Sequence, residues 1–358
     1  MVAVINSWLR RTFADQELVI LALVLVFGAL LVIFLGQMLA PVITALVFAY
    51  LLEALVKRLE RLRLPRWAAV WAVFLAFLTG FVFVLFGMAP LLSRQVAQLV
   101  SQIPEYLGRL QLLIQLLPER YPQLISPQQA DDLTARIGAD LAQFGQKLLA
   151  MSFSSVVGLM TLMVFLVLIP LLVFFFLKDK EKLLRWIGGF VPRNRTLVRQ
   201  VWHEVDEQMG NYVRGKVLEI LIVGAVTYVT FSLLGLQYAI LLATITGFSV
   251  LIPYIGATIV TLPVFAVAFF QWGWGPDLFW AMVAYGIIQA LDGNVLVPLL
   301  FSEVVDLHPV GIIIAILVFG GIWGFWGVFF AIPLATLVNA VLRAWPRTPP
   351  DAPPHQPG

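Results

Sequence analysis

A chain of 358 residues that is 61% hydrophobic and only 12% charged lies far from the soluble norm of about 25% charged residues. Several apolar runs approach or exceed the roughly 20 residues a spanning helix needs, so the chain reads as an all-α polytopic membrane protein with about eight transmembrane helices. The formal charge is only +3 and there is no cysteine, which excludes disulfides, thiolate metal sites and cysteine nucleophiles; His203, His308 and His355 are too scattered to hold a metal.

Residues 1–90 read as a three-span segment. Arg10-Arg11-Thr12-Phe13 resembles a twin-arginine export signal, but the run from Leu18 to Leu35 is too long and too apolar for a signal peptide, so it is read as a retained first helix. Gly36, Gln37 and Pro41 precede a second run, Val42 to Val56. Lys57, Arg58, Arg61, Arg63 and Arg66 then crowd one loop. Positive clusters at both ends of this pair predict a hairpin whose amino end and basic loop are cytoplasmic. Trp67 and Trp71 anchor the start of a third helix running to about Met88.

Residues 91–150 change character and by parity lie outside. Val96, Leu99, Ile103, Tyr106, Leu110, Leu113 and Leu117 alternate by three and four, an amphipathic seam that Pro104 is expected to kink. A second helix has a start signal: Ser126 as N-cap, Pro127 at N1, Gln129 three residues on, Asp131 and Asp132 in the first turn. Its stripe is Leu133, Ile137, Leu141, Phe144 and Leu148. Such a stripe says that a face is buried, not whether lipid, a neighbouring protomer or the protein's own outer face buries it.

The fourth span, in residues 151–177, returns to a cytoplasmic basic amphipathic linker at 178–216, suited to anionic headgroups. Residues 217–345 form the carboxyl-terminal membrane core. Val217 to Leu234 is span five. Tyr238 to Ile252 and Ile255 to Phe270, joined by Pro253-Tyr254, form either one kinked span or a re-entrant hairpin, since fifteen residues is short for a crossing. Trp272, Trp274 and Trp280 mark an interface. Val310 to Leu342 exceeds one membrane thickness; within it Gly320, Gly321, Gly324 and Gly327 let helices approach closely or provide a hinge. The tail, 346–358, is proline-rich and too polar to fold.

The polar stretch from Gln289 to Pro309 stands out. An Asp at the centre of a spanning helix costs about 2.5–3.5 kcal/mol, so such a residue normally faces a protein interior or a wet cavity. Gly293 and Pro298 weaken the helix around Asn294, which predicts a discontinuous helix lining a site. Asp292 would hold a proton or cation, with Asn294 and Gln289 as neutral ligands. Carbonyls near Gly293 and near Gly256, just after Pro253, would complete the shell. Glu303, Asp306 and His308 would form a polar entrance. In the alternative reading Asp292 ends a helix as a loop residue, and His308 beside Pro309 caps the next one.

Enzyme motifs fail. His203-Glu204-Val205-Asp206-Glu207 lacks the second His of a zinc protease helix, and there is no phosphate-binding loop. Gly247-Phe248-Ser249-Val250-Leu251 lacks the closing glycine of a nucleophile elbow. Asp292 has no equally embedded acidic partner apart from Glu219, placed near a helix start. No cofactor or nucleic acid is called for.

Tyr212-Val213-Arg214-Gly215-Lys216, Pro253-Tyr254-Ile255-Gly256, the Gln289 to Pro298 stretch, Leu307-His308-Pro309 and the Gly320 to Pro333 segment resemble successive motifs of the autoinducer-2 exporter family, the PerM-like permeases. Lys216, where the family commonly has Gln, and Asp292, where it commonly has Glu, depart from the pattern. The resemblance implies a multi-pass protein of the bacterial inner membrane that moves a small autoinducer-2-like solute, exchanges monovalent cations for protons, or both. It also implies a homo-oligomer, pentamers included. A non-transporting oligomeric scaffold or a facilitated channel is the alternative.

Overall fold

The computed structural model describes residues 34–36, 38–116, 118, 126–153, 156–189, 196–253, 255–301 and 308–344. Most of the first expected helix, Glu303, Asp306 and the tail lie outside the described residues. What is described is helical, without strands. Six described segments are long and apolar enough to cross a membrane, and Val164–Lys178 and Ala239–Ser249 are shorter apolar helices. The chain is an all-α polytopic membrane protein.

Its contacts divide it into two units, Leu52–Phe174 with Val217–Leu300, and Met1–Leu51 with Phe175–Lys216 and Phe301–Gly358. Helix α1, Ala40–Arg61, contributes its second half to the first of these. It ends with Arg63 left-handed at φ 69°, where the Leu64 amide reaches the Leu59 carbonyl and the Arg63 amide the Glu60 carbonyl, a Schellman closure. Arg66 then ties the basic loop to Glu53 at 3.3 Å and Glu60 at 3.4 Å.

Helix α2, Arg66–Phe83, passes through a π turn, Val84–Met88, directly into α3, Ala89–Gln115. The third span and the first amphipathic segment are therefore one continuous helix of 50 residues, which runs on through Pro104. Helix α4, Pro127–Phe153, starts on the expected capping box. Its Gln129 amide donates to Ser126 Oγ at 3.2 Å and the Ser126 amide donates to Gln129 Oε1 at 3.0 Å, which satisfies two donors that a helix start leaves open.

Helices α3 and α4 pack on each other. Gly145 sits so close to Val100 and Ile103 that a Cβ there would lie 3.2 and 3.1 Å from their side chains. The buried residues of α4 include Ala130 and Thr134, whereas Leu133 is 46% exposed. The bulk in this contact comes from Val100 and Ile103 of α3, and α4 meets it with small residues, Ala130, Thr134 and Gly145.

Helix α5 is Val156–Lys178 and α6 is Lys180–Gly189. Helix α7 runs unbroken from Thr196 to Leu233, so residues 196–216 of the linker and span five are one helix. It closes in a second Schellman turn, with Gly235 at φ 71° and the Leu236 amide on the Phe231 carbonyl. Helices α8, Ala239–Ser249, and α9, Ile255–Trp272, pack on each other as a hairpin. Eleven residues rise only about 16 Å, too little to cross a bilayer core of about 30 Å. Of the two expected arrangements, the hairpin is the one formed.

The core of this unit joins Phe231, Leu242, Val264, Ala268, Ala281 and Tyr285, and Leu92, Val96 and Leu99 of α3 pack against it. Helix α3 also supplies caps. Gln95 Oε1 accepts from the Leu241 amide in the first turn of α8 at 2.9 Å, an open donor because Tyr238 provides no side-chain cap. Arg109 donates to the Phe270 carbonyl near the end of α9 at 2.7 Å, and Tyr106 stacks on the Phe270 ring at 4.4 Å. The amphipathic segment thus covers the protein's own hairpin.

In the other unit, helix α12, Pro309–Phe329, packs on α13, Ala331–Ala344. Gly324 breaks α12 with φ 59° and ψ −133°. A Cβ on Gly327 would collide with the Phe319 carbonyl, and one on Gly320 would lie 2.9 Å from the Val328 side chain. These three glycines let the chain double back on itself; Gly321 meets nothing within 4 Å.

Candidate membrane-embedded polar site

Helix α10, Pro276–Leu291, begins with Pro276 at N1 after an extended Gly275 and continues through a π turn, Asp292–Leu296, into α11, Val297–Phe301. The interruption expected around Asn294 is therefore a π turn within a continuous helix, not an unwound break. Its cause lies in Pro298, which lacks an N–H and whose ring clashes with the carbonyl four residues back. The widened turn moves the ladder, and the Val297 amide donates to the Asp292 carbonyl five residues back. Single π turns of this kind recur at functional sites.

The carboxylate of Asp292 is partly buried and its Oδ1 is shut off from solvent. Gln289 stands one turn earlier, with its Nε2 shut off from solvent. One turn earlier still, the Tyr285 hydroxyl donates to the Ala257 carbonyl at 3.2 Å, beside Thr261 and Gln289. Ala257 follows Gly256, a position at which any Cβ would run into the Ser249 carbonyl. Gly256 thus lets the start of α9 press against the end of α8, just after the Pro253 turn. Val250 in that turn packs with Ile288 and Val223, and Ile220 and Leu296 join them. The structure therefore brings the Pro253–Gly256 turn, Gln289 and the Asp292 end of α10 into one neighbourhood.

Other expected ligands turn away. Asn294 is exposed and donates to the Ala290 carbonyl of its own helix at 2.8 Å. Gly293 and Pro298 are exposed too. His308 is the N-cap of α12: its Nδ1 accepts from the Val310 amide at 3.3 Å, the capping role weighed for it. No group of metal-binding side chains occurs among the described residues.

The residue that the sequence reading undervalued is Glu219. Hydropathy placed it at a helix start, yet α7 is continuous around it and it is 1% exposed. Thr227, two turns further along α7, and Thr246 on α8 are fully buried as well. Beside them α7 and α8 cross through glycines: a Cβ on Gly247 would lie 2.9 Å from the Ile220 carbonyl oxygen and 3.2 Å from the Gly224 Cα. A membrane bundle thus packs its polar residues behind small ones, as lipid-embedded helices commonly do.

Comparison with known proteins bears on what such an interior serves. The family described as "AI-2E family transporter" matches residues 20–347. The chain belongs to that family. It is 46% identical over 346 residues to the "Putative permease PerM" of Escherichia coli strain K12, covering 97% of this chain and 98% of that protein. It is 25% identical over 317 residues to the "Putative transport protein YueF" of Bacillus subtilis strain 168, covering 86% and 84%. The family and the polytopic fold together make this a membrane transporter of the AI-2E family. The polar neighbourhood just described lies wholly within the matched region.

Proposed function

We propose that this transporter is a secondary one, which moves a small hydrophilic solute, exchanges monovalent cations for protons, or both, with Asp292 as the coupling group. The observation that carries the reading is Asp292 itself, an acid partly buried in a π turn of a spanning helix, where its charge is costly unless it serves a pathway. Gln289 and the Gly256 turn shape the neighbourhood. We place the protein in the bacterial inner membrane with its amino end in the cytoplasm, because the basic loops at Lys57 to Arg66 and Lys178 to Lys216 call for the inner side. A cysteine introduced at Gln111 should then react with an impermeant thiol reagent added outside.

The test of function is transport in proteoliposomes with sodium, lithium and proton gradients imposed separately. Asp292→Asn should abolish ion-coupled movement at matched protein level, and Asp292→Glu should retain part of it. Full coupled activity in the Asn variant would refute the role of Asp292 and favour a scaffold or a facilitated channel.

A further inference from the structure

Helix α6, Lys180–Gly189, contributes no residue to the polar neighbourhood described above. It starts at the end of a span. Helix α5 carries no charge from Val156 to Leu177, and its 23 residues rise about 35 Å, slightly more than a bilayer core of about 30 Å. The chain then bends at Asp179 alone: the Asp179 amide donates to the Phe175 carbonyl at 2.8 Å, and the Leu183 amide to the Asp179 carbonyl at 3.0 Å. With one residue between the two helices, α6 is held at headgroup depth.

At about 3.6 residues per turn, Leu183, Leu184 and Trp186 fall on one side of α6, and Glu181, Lys182 and Arg185 on the other. The apolar side is uncovered: Leu184 is 51% and Trp186 66% exposed. Further along the same linker the protein covers its own apolar residues. Tyr212 and Val213 of α7 are buried, and Tyr212 packs on Phe301 at 5.7 Å and on Phe329 at 6.3 Å. A helix with exposed leucine and tryptophan at headgroup depth has lipid as its nearest cover, and tryptophan favours that layer.

The charges say which lipid. Lys178, Lys180, Lys182 and Arg185 outnumber Asp179 and Glu181 in this stretch. Lys182 reaches Asp179 at 3.2 Å with its side chain still 76% exposed, and so hydrated a pair contributes little. Arg185 is exposed, its Nε donating to the Glu181 carbonyl at 3.2 Å. Lys180 falls at the start of the apolar side, a position from which a long stem can follow lipid while the ammonium reaches up to phosphate. We propose that α6 is a docking helix for anionic phospholipid. It lies in the plane of the membrane surface, with Leu183, Leu184 and Trp186 against the acyl boundary and its lysines and arginine on lipid phosphates. This docking does not depend on the role of Asp292.

The test uses the full chain, which has no cysteine of its own, with Leu184→Cys carrying a bimane label. It is reconstituted into vesicles of phosphatidylcholine alone, or of phosphatidylcholine and phosphatidylglycerol in equal parts. Phospholipids brominated along the acyl chains should quench the label in the mixed vesicles, and iodide in the water should not. Quenching by lipid should be weaker in phosphatidylcholine alone, and weaker in the mixed vesicles at high salt, which screens surface charge. Lys180→Gln with Lys182→Gln should lower the ratio of docked to undocked helix in mixed vesicles by roughly fivefold per lysine. Lys180→Arg with Lys182→Arg should restore it, all variants being matched to the parent in elution from a sizing column. Equal lipid quenching in both vesicle types and in the glutamine pair overturns the anionic preference. Quenching by iodide in every vesicle means that α6 stands in water, and a label shielded from both quenchers means that protein covers this face; either overturns the docking.

Discussion

Replacing Gly247 with alanine adds one carbon at the tightest point between α7 and α8. That Cβ would lie 2.9 Å from the Ile220 carbonyl oxygen, 3.2 Å from the Gly224 Cα and 3.4 Å from the Gly224 nitrogen. All three are backbone atoms, so no rotamer change relieves the overlap and the helices must separate by a few tenths of an ångström. Overpacking of this sort costs about 1–3 kcal/mol. Gly224→Ala is the internal control, because its Cβ would meet Ala243 O at 3.6 Å and the Gly247 Cα at 3.8 Å, which is ordinary contact. There the helix should gain about 0.5–1 kcal/mol from alanine's lower backbone entropy cost. The two variants, alike in sequence terms, should differ in opposite directions. Titration of dodecyl sulfate into mild-detergent micelles, followed by the fluorescence of the 11 tryptophans, measures both unfolding free energies. Equal effects, or a Gly247→Ala protein more stable than the parent, would refute the close crossing.

Ser126→Ala should remove half of the capping box and destabilise α4 by about 0.5–2 kcal/mol, seen as faster hydrogen exchange at 128–131 than in the parent. Gln95→Ala should uncover the Leu241 amide at a cost of about 1–3 kcal/mol, measured as a lower midpoint in the same detergent titration, with Gln95→Glu, which keeps an acceptor, recovering part of it. Gly324→Ala should cost about 1–3 kcal/mol because φ 59° with ψ −133° is a conformation that side chains resist; Gly321→Ala, open on all sides, should be neutral in the same assay.

Much of the architecture could be read from local pattern. The Ser126–Gln129 box depends on residues three apart, and it formed with both of its hydrogen bonds. The polar character of the Gln289–Pro298 stretch was visible because lipid makes such residues conspicuous. Where long-range packing decides, the sequence was silent. Glu219 was passed over because Arg214 and Lys216 depress the hydropathy just before it, which disguises a continuous helix as a helix start. Nothing local distinguishes the π turn from a break, since Gly293 and Pro298 are compatible with either. Asn294 looked like a ligand by type, but its own helix offers the Ala290 carbonyl at 2.8 Å, and that near partner wins. The short α8 could be told from half of a kinked span only by its packing against α9, which the Gly256 approach makes possible.

The unbroken run from Arg66 to Gln115 has a mechanical meaning. Fifty residues at 1.5 Å each make a rod of about 75 Å, more than twice the thickness of a bilayer core. Its Arg66 end is pinned by Glu53 and Glu60, and its second half grips the start of α8 and the end of α9 through Gln95 and Arg109. The hairpin therefore cannot lean without carrying this lever arm with it, and the rod's ladder is already loosened at two places, the π turn at Val84–Met88 and Pro104.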